Sequence, residues 1–518
     1  MIRTEVKISR KTVKSICYLL CTLILCFVNQ RKGSATGAIQ VIVPNVGIIS
    51  LALLLIPSMK LTEFKHKKYI IWLATNILLI PLITFTYHTK ITERFNIIEW
   101  WSGSLTLTVW GLLFIHAVSG FKAPALKTMV SKHGFQFIMS LALLMFCLSA
   151  NDEIWPWQYL LVYTTIVLTE ISSEDKVLIV RSIENGILIS FFVIQGLAFV
   201  FRPYDRVRYL GLFSNPNINA LFYFTVYACF LSKYCSCYEI DDIRKRKIYR
   251  TISLAFSGAM WGFVFLTGSR CTILAMGATT ALAGIYCLTR EKSKIILRGV
   301  SILGGLLLWI AVSFPVVFCA VRYIPPIFHH PIWFSGEYHE SKIHSFDPWN
   351  SEKYVDFNEL LNNSQERYGN YATIGDIQES LEESAAGDDD SISIRALIYR
   401  GYLHNLNMRG HITGGVYVTE DIYAHAQNLY LQMAYNHGIP AGVVFMMFTV
   451  FCVVLMYRNA LICSSDFSLN NIWLLSAVFY TGTLMFGLFE MMWIRGELPF
   501  TMLFILPALL NPCIKKAR

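Results

Sequence analysis

Apolar stretches of roughly 17 to 22 residues recur along this chain, and each is long enough to carry a helix across about 30 Å of hydrocarbon. A backbone in lipid has to satisfy its own hydrogen bonds, so such stretches fold as helices packed against one another. They fall at 13–30, 40–58, 69–87, 101–119, 134–150, 157–171, 182–200, 216–233, 250–267, 271–288, 299–320, 439–457, 472–490 and 498–512. With 55% hydrophobic and only 15% charged residues among 518, the composition is far from that of a soluble enzyme. The pattern predicts an all-α polytopic membrane protein with about 14 transmembrane helices.

Basic residues test that list, because they collect in alternate short loops on the cytoplasmic side. Both termini read as cytoplasmic. The inner connections then hold clusters such as Lys65, Lys67 and Lys68, the run Arg244 to Lys247 with Arg250, and Arg290, Lys292 and Lys294. Arg31, Lys32 and the arginines near 202–208 are outward exceptions. The parity divides the chain into helices 1–11 (1–321), a long exterior loop (322–438) and helices 12–14 with a cytoplasmic tail (439–518).

Between Arg322 and Asp421 there are 16 acidic and 7 basic side chains, so the net charge of +10 is carried by the membrane region. Anchoring against anionic lipid headgroups explains that excess, and nucleic-acid binding is not expected. After the basic start and apolar run no small-residue cleavage site stands out beyond Cys26, and further apolar stretches follow, which predicts a retained first helix. All 13 cysteines lie in predicted helices or inner loops, so neither a disulfide scaffold nor a cysteine zinc site fits.

Within the long loop, residues 325–349 are rich in proline, histidine and aromatics, which suit either sugar stacking or packing at the lipid interface. The acidic run 376–390 reads as a solvated connector, without a calcium-loop signature. Periodicity then predicts a helix over 394–407, capped by Ser391 or Ser393, with Arg395 projecting from its edge. A second helix is expected from about Tyr423–His425 to Gly438, placing His425 and Asn428 on one face at i and i+3. A helix-start histidine bonded to backbone and a catalytic base are both open readings of His425. His437 reads as part of a helix-end turn.

Two shorter outward connections add cations. The first holds Arg202, Arg206 and Arg208 before Asn215, Asn217 and Asn219, where Ser214 or Asn215 can cap the next helix with Pro216 in its first turn. The second is the turn Gly268-Ser269-Arg270. An arginine entering an apolar helix either snorkels, pairs or meets a ligand. Glu490, Arg495 and Glu497 flank a further exterior turn, as a gate or an ion pair. Guanidinium groups hold phosphate oxygens through two donors, and a histidine can take a proton from a hydroxyl near neutral pH. Together they suit a glycosyl pyrophosphate, and neither group requires a metal.

Several of these positions resemble the bacterial family of O-antigen and capsular polysaccharide polymerases and O-antigen ligases. They are Arg208-Tyr-Leu-Gly211-Leu-Phe-Ser-Asn215-Pro-Asn217, Gly268-Ser269-Arg270, Arg395, Gly414-Gly415, and His425-Ala-Gln-Asn428-Leu-Tyr-Leu-Gln432 followed by Gly438-Ile-Pro-Ala-Gly442. The resemblance covers about 200–455 by motif and the remainder by topology. It departs from the pattern at Gln427, where many relatives carry a histidine directly before the asparagine.

The resemblance implies a GT-C-like membrane glycosyltransferase in a bacterial cytoplasmic membrane, metal-independent and without a cofactor. Its donor and acceptor would be undecaprenyl-pyrophosphate-linked glycans, with membrane lipid, a flippase and a chain-length regulator as partners. Arg270, Arg395 and His425 would be catalytic. Arg206, Arg208, Asn215, Asn217, Ser269 and Asn428 would bind substrate or pyrophosphate. A polymerase is favoured by the form of the His425 motif, a ligase transferring to lipid A-core is the alternative, and a lipid-linked oligosaccharide transporter is a third class.

Overall fold

The computed structural model describes residues 9–28, 38–59, 64–94, 96–121, 126–151, 153–169, 171–201, 208–213, 215–290, 295–328, 394–412, 415–417, 423–462, 467–490 and 498–510. The helices in the first part of the chain are α1 (Arg10–Val28), α2 (Ala38–Ser50), α3 (Lys67–Thr86), α4 (His88–Arg94), α5 (Ile97–Gly120), α6 (Leu126–Cys147), α7 (Trp155–Leu168) and α8 (Ser173–Phe201). They are followed by α9 (Pro216–Ser236), α10 (Ile243–Thr267), α11 (Arg270–Arg290) and α12 (Ile295–Ile327). After the long loop come α13 (Ile394–His404), strands β1 (Val416–Tyr417) and β2 (Tyr423–Ala424), α14 (Leu429–His437), α15 (Ile439–Ile462), α16 (Phe467–Gly487) and α17 (Leu498–Leu509).

Six of these helices are long and apolar enough to cross a membrane, the architecture of a multi-pass membrane protein. Every apolar stretch read from the sequence carries a helix, although several boundaries move. The second stretch is α2, with Pro44 inside it, continued by 3-10 turns at Leu51–Leu54 and Ile56–Ser58. At the far end of the first membrane region α12 continues through a buried Arg322 to Ile327, past the point where the loop was expected to begin.

The centre of the bundle is α9, whose residues from Asn219 to Ser236 are nearly all buried. A helix that is apolar all round belongs in the interior, and α9 is enclosed by α10, α11 and α16. Packing rather than transfer out of water holds helices together in lipid, so close backbone approach matters. Gly482 on α16 admits the Phe224 ring of α9 into the space a Cβ would occupy. A Cβ at Gly258 of α10 would come within 2.7 Å of the Trp309 backbone of α12.

The segment after 393 forms its own small apolar cluster of Ile398, Tyr402, Val416, Ala426 and Tyr435. Strands β1 and β2 pair antiparallel, Val416 opposite Ala424 and Tyr417 opposite Tyr423, a hairpin that the all-α expectation did not contain. This corrects the reading of a helix from Tyr423 or His425. The helix begins only at Leu429, so His425 and Asn428 do not share a helical face. The expected helix over 394–407 is α13, ending at His404. Residues 329–393, with most of the aromatic stretch, the acidic run and Ser391 and Ser393, lie outside the described residues.

Candidate functional site

Four chain segments meet at one end of the bundle, where α16 ends and the residues to Glu490 follow it. The first contains the start of α9. The Asn215 side chain caps that helix by accepting from the Asn217 backbone N–H at 2.8 Å, with Pro216 in the first turn, where its missing N–H costs nothing. Capping accounts for Asn215 without a ligand. Ser214 lies outside the described residues.

Arg208 is held from two sides. Its Nε donates to the Thr267 carbonyl at 2.5 Å and its Nη2 to the Asn217 Oδ1 at 2.6 Å. The Asn217 Nδ2 donates in turn to the Glu490 Oε2 at 2.7 Å. The relay fixes the 208–213 segment against the end of α10, an attachment reinforced by the Tyr209 N–H on the Leu266 carbonyl at 2.8 Å. A charge-assisted relay of this kind orients the guanidinium, which is worth more than the energy of any one contact.

The turn between α10 and α11 is the second segment. Gly268 ends α10 with φ +62°, in the left-handed region that glycine enters without steric cost. Ser269 is buried, its Oγ 2.9 Å from the Thr272 Oγ1, so it belongs to the turn rather than to an exposed surface. Arg270 is the first residue of α11 and is exposed. It stands at a helix N-terminus, where partial positive charge favours anions. The next residue, Cys271, has its Sγ 3.5 Å from the Phe489 carbonyl, which ties the turn to the third segment.

The fourth segment leads into α14. Asn428 caps that helix through the Leu431 N–H at 2.9 Å, and its Nδ2 donates to the Leu488 carbonyl at 2.8 Å. Gln427 takes φ +46°, a conformation that L residues other than glycine adopt at a cost. The Gln432 Oε1 accepts from both the Ala426 N–H at 2.9 Å and the Tyr402 hydroxyl at 3.2 Å. Asn428, Gln427 and Gln432 together aim the chain just before α14, and His425 lies exposed at the end of β2. Arg395 sits one residue into α13, with its side chain outside the described set, and Arg206 lies outside the described residues, as do Arg202, Arg495 and Glu497.

The expected residues thus divide by what they touch. Arg208, Asn217 and Asn428 are brought to the same bundle end and are committed to internal hydrogen bonds. Asn215 and Ser269 serve helix ends. Arg270 and His425 keep exposed side chains. Sequence reasoning treated Glu490 as a gate or ion-pair residue, and it accepts from an asparagine at the end of the arginine relay. Gln427 was noted only for differing from a family pattern; its positive φ has no sequence signal in a glutamine.

His437 is buried where His425 is exposed. It is 3% exposed, its Nδ1 lies 2.8 Å from the Ser149 Oγ, and its ring packs edge-on against Phe146 and Trp155. Burial pushes its pKa down to about 3, so the ring is neutral at physiological pH. The last turn of α14 ends there and Gly438 follows with φ +93°.

A second polar cluster lies towards the other end of the same helices. Glu184 of α8 is 3% exposed, pairs with the Lys233 Nζ at 2.9 Å and accepts from the Asn471 Nδ2 at 3.1 and 3.0 Å. Glu184 lies inside the 182–200 apolar stretch and Lys233 closes the 216–233 one, and the sequence singles out neither. Among the described residues no group of His, Cys, Asp and Glu side chains is arranged to hold a metal. Comparison with protein-family models gave no match, and neither did comparison with curated proteins.

Proposed function

We propose that the chain is a polysaccharide polymerase of the bacterial cytoplasmic membrane, joining undecaprenyl-pyrophosphate-linked repeat units. In this reading it makes 14 crossings in a GT-C-like arrangement, with both termini cytoplasmic and the 322–438 loop outside. The observation that supports it is the exposed Arg270 on a turn tied to Arg208 through Thr267 and to the α14 entry through 488–489. Two cations and an exposed histidine therefore belong to segments that are joined to one another at one bundle end.

The chemistry is an inverting substitution. The acceptor hydroxyl attacks the anomeric carbon of the donor, a new C–O bond forms as the bond to the lipid pyrophosphate breaks, and the electron pair leaves with the pyrophosphate. His425 takes the hydroxyl proton. Arg270, with the α11 N-terminus behind it, meets the charge that develops on the leaving group, and Arg395 is assigned to the same task. Arg208 acts as a positioning residue, because its hydrogen bonds to Thr267 and Asn217 hold the turn that presents Arg270.

Incubating the purified protein with one lipid-linked repeat unit tests the reading. A ladder of products is expected. Transfer only after addition of lipid A-core would replace polymerase by ligase, and translocation without new glycosidic bonds would replace it by transport.

A further inference from the structure

The loop 405–412, which follows α13, is docked by its backbone onto the ends of several bundle helices. The Arg409 carbonyl accepts from the Ala150 N–H at 2.8 Å and the His411 carbonyl from the Asn151 Nδ2 at 3.0 Å, which joins the loop to the connection between α6 and α7. On its other side the Ile439 N–H donates to the Asn407 carbonyl at 2.9 Å and the His411 N–H to the Asn436 carbonyl at 3.2 Å, at the junction of α14 and α15. Two glycines with positive φ permit this approach. A Cβ on Gly410 would collide with the Asn436 carbonyl, and one on Gly438 with the Met408 carbonyl.

Ile439 opens α15, which is long and apolar enough to cross a membrane, so the loop lies where hydrocarbon gives way to headgroups. Trp157, in the first turn of α7 and 47% exposed, suits the same level, because tryptophan favours the membrane–water interface. The polar part of the loop turns inward: the His411 ring stacks on Tyr435 at 4.0 Å and its Nε2 lies 2.6 Å from the Asn405 carbonyl. What α13 and the loop turn outward is apolar. Leu403 is 60% exposed, Met408 67% and Ile412 66%, and the exposed cations Arg400 and Arg409 accompany them. Val443, one turn into α15, is also exposed, so the patch continues the apolar outer surface of a membrane helix. Long arginine stems reach phosphates while apolar neighbours sit deeper, the arrangement of a segment lying in a membrane interface.

We propose that the 400–412 segment rests on the lipid leaflet at this end of the bundle, with Leu403, Met408 and Ile412 among acyl chains and Arg400 and Arg409 on headgroup phosphates. The proposal is independent of the glycosyl-transfer reading. Nitroxide labels at Met408→Cys and Ile412→Cys test it in the full chain, held in phosphatidylglycerol nanodiscs, with labelled wild type supplying the background from native cysteines. Contact of each label with oxygen, which concentrates in hydrocarbon, is compared with contact with a water-soluble nickel chelate. Val443→Cys gives the lipid reference and Lys245→Cys, at a side chain 71% exposed, the aqueous one. The oxygen-to-nickel ratio at both loop sites is expected to stand at least about threefold above that of Lys245→Cys, and to fall about twofold when Arg400→Gln and Arg409→Gln loosen the segment from the phosphates. A ratio equal to that of Lys245→Cys would overturn the proposal in favour of a solvated loop. Labels shielded from both reagents would overturn it in favour of a protein partner, and a ratio indifferent to the two arginines would overturn the phosphate contacts.

Discussion

Helices α9 and α16 are each tied to a carboxylate near both ends, and the two ends are built differently. Near residue 490, Glu490 is reached by a neutral amide that relays Arg208, and the surrounding residues are partly exposed. Near residue 184, Glu184 meets Lys233 directly and accepts from Asn471 in a buried setting. Asn217 and Lys233 are separated by 16 positions of the same helix, roughly 24 Å. One end locks the bundle with charge taken out of solvent. The other places its charges through relays and leaves Arg270 and His425 exposed, which is what a site needs and a lock does not.

The largest effect is expected at the buried end. Lys233→Met strands the buried Glu184 carboxylate and should cost about 3–5 kcal/mol, whereas Glu184→Gln leaves a lysine that is 21% exposed and reaches water, and should cost less. The double variant should recover most of that, read as thermal unfolding in detergent. If both single variants unfold at the wild-type temperature, the contrast between the ends fails.

The next effect is one of pH. The His437 pKa falls from about 6.5 to about 3 on folding, so the neutral ring contributes stability that is complete above pH 6.5. As pH falls from there towards 3, the unfolded chain binds the proton first and stability declines by up to about 1.4 kcal/mol per pH unit. His437→Phe should flatten that slope between pH 6 and 4, and an unchanged slope would assign it to other groups.

At the relay end the effects are smaller. Asn217→Ala removes the bridge between Arg208 and Glu490 and should cost about 1.5–3 kcal/mol, the usual range for hydrogen bonds to charged groups. Proteolysis at 208–213 should quicken in the same variant. Smallest is Gln427→Gly, which relieves the positive φ and should change stability by about 1 kcal/mol or less. A larger loss would mean that the glutamine side chain contributes more than the backbone strain removes.

The same contrast explains what the sequence made legible. Helix positions followed from apolar length alone, and the Asn215 cap and the Gly268 turn followed from local chemistry, because both are decided within a few residues. Long-range partnerships did not. Nothing within the sequence near Arg208 points to Thr267, and nothing near Asn428 points to Leu488. The error at Tyr423–His425 has a related cause: apolar periodicity continued across residues whose partner, Val416–Tyr417, lies across a hairpin. Glu184 was missed because a single carboxylate barely changes the hydropathy of a long apolar helix.

The most direct test measures the initial rate of undecaprenyl pyrophosphate release from a lipid-linked repeat unit by the purified wild type, Arg270→Ala and His425→Ala, each normalised to folded protein. Loss of general-base or leaving-group stabilisation predicts a fall of about a hundredfold or more in each variant. Rates within about twofold of the wild type, a difference worth under 1 kcal/mol of barrier, would contradict the assignment of glycosyl transfer to this end of the bundle.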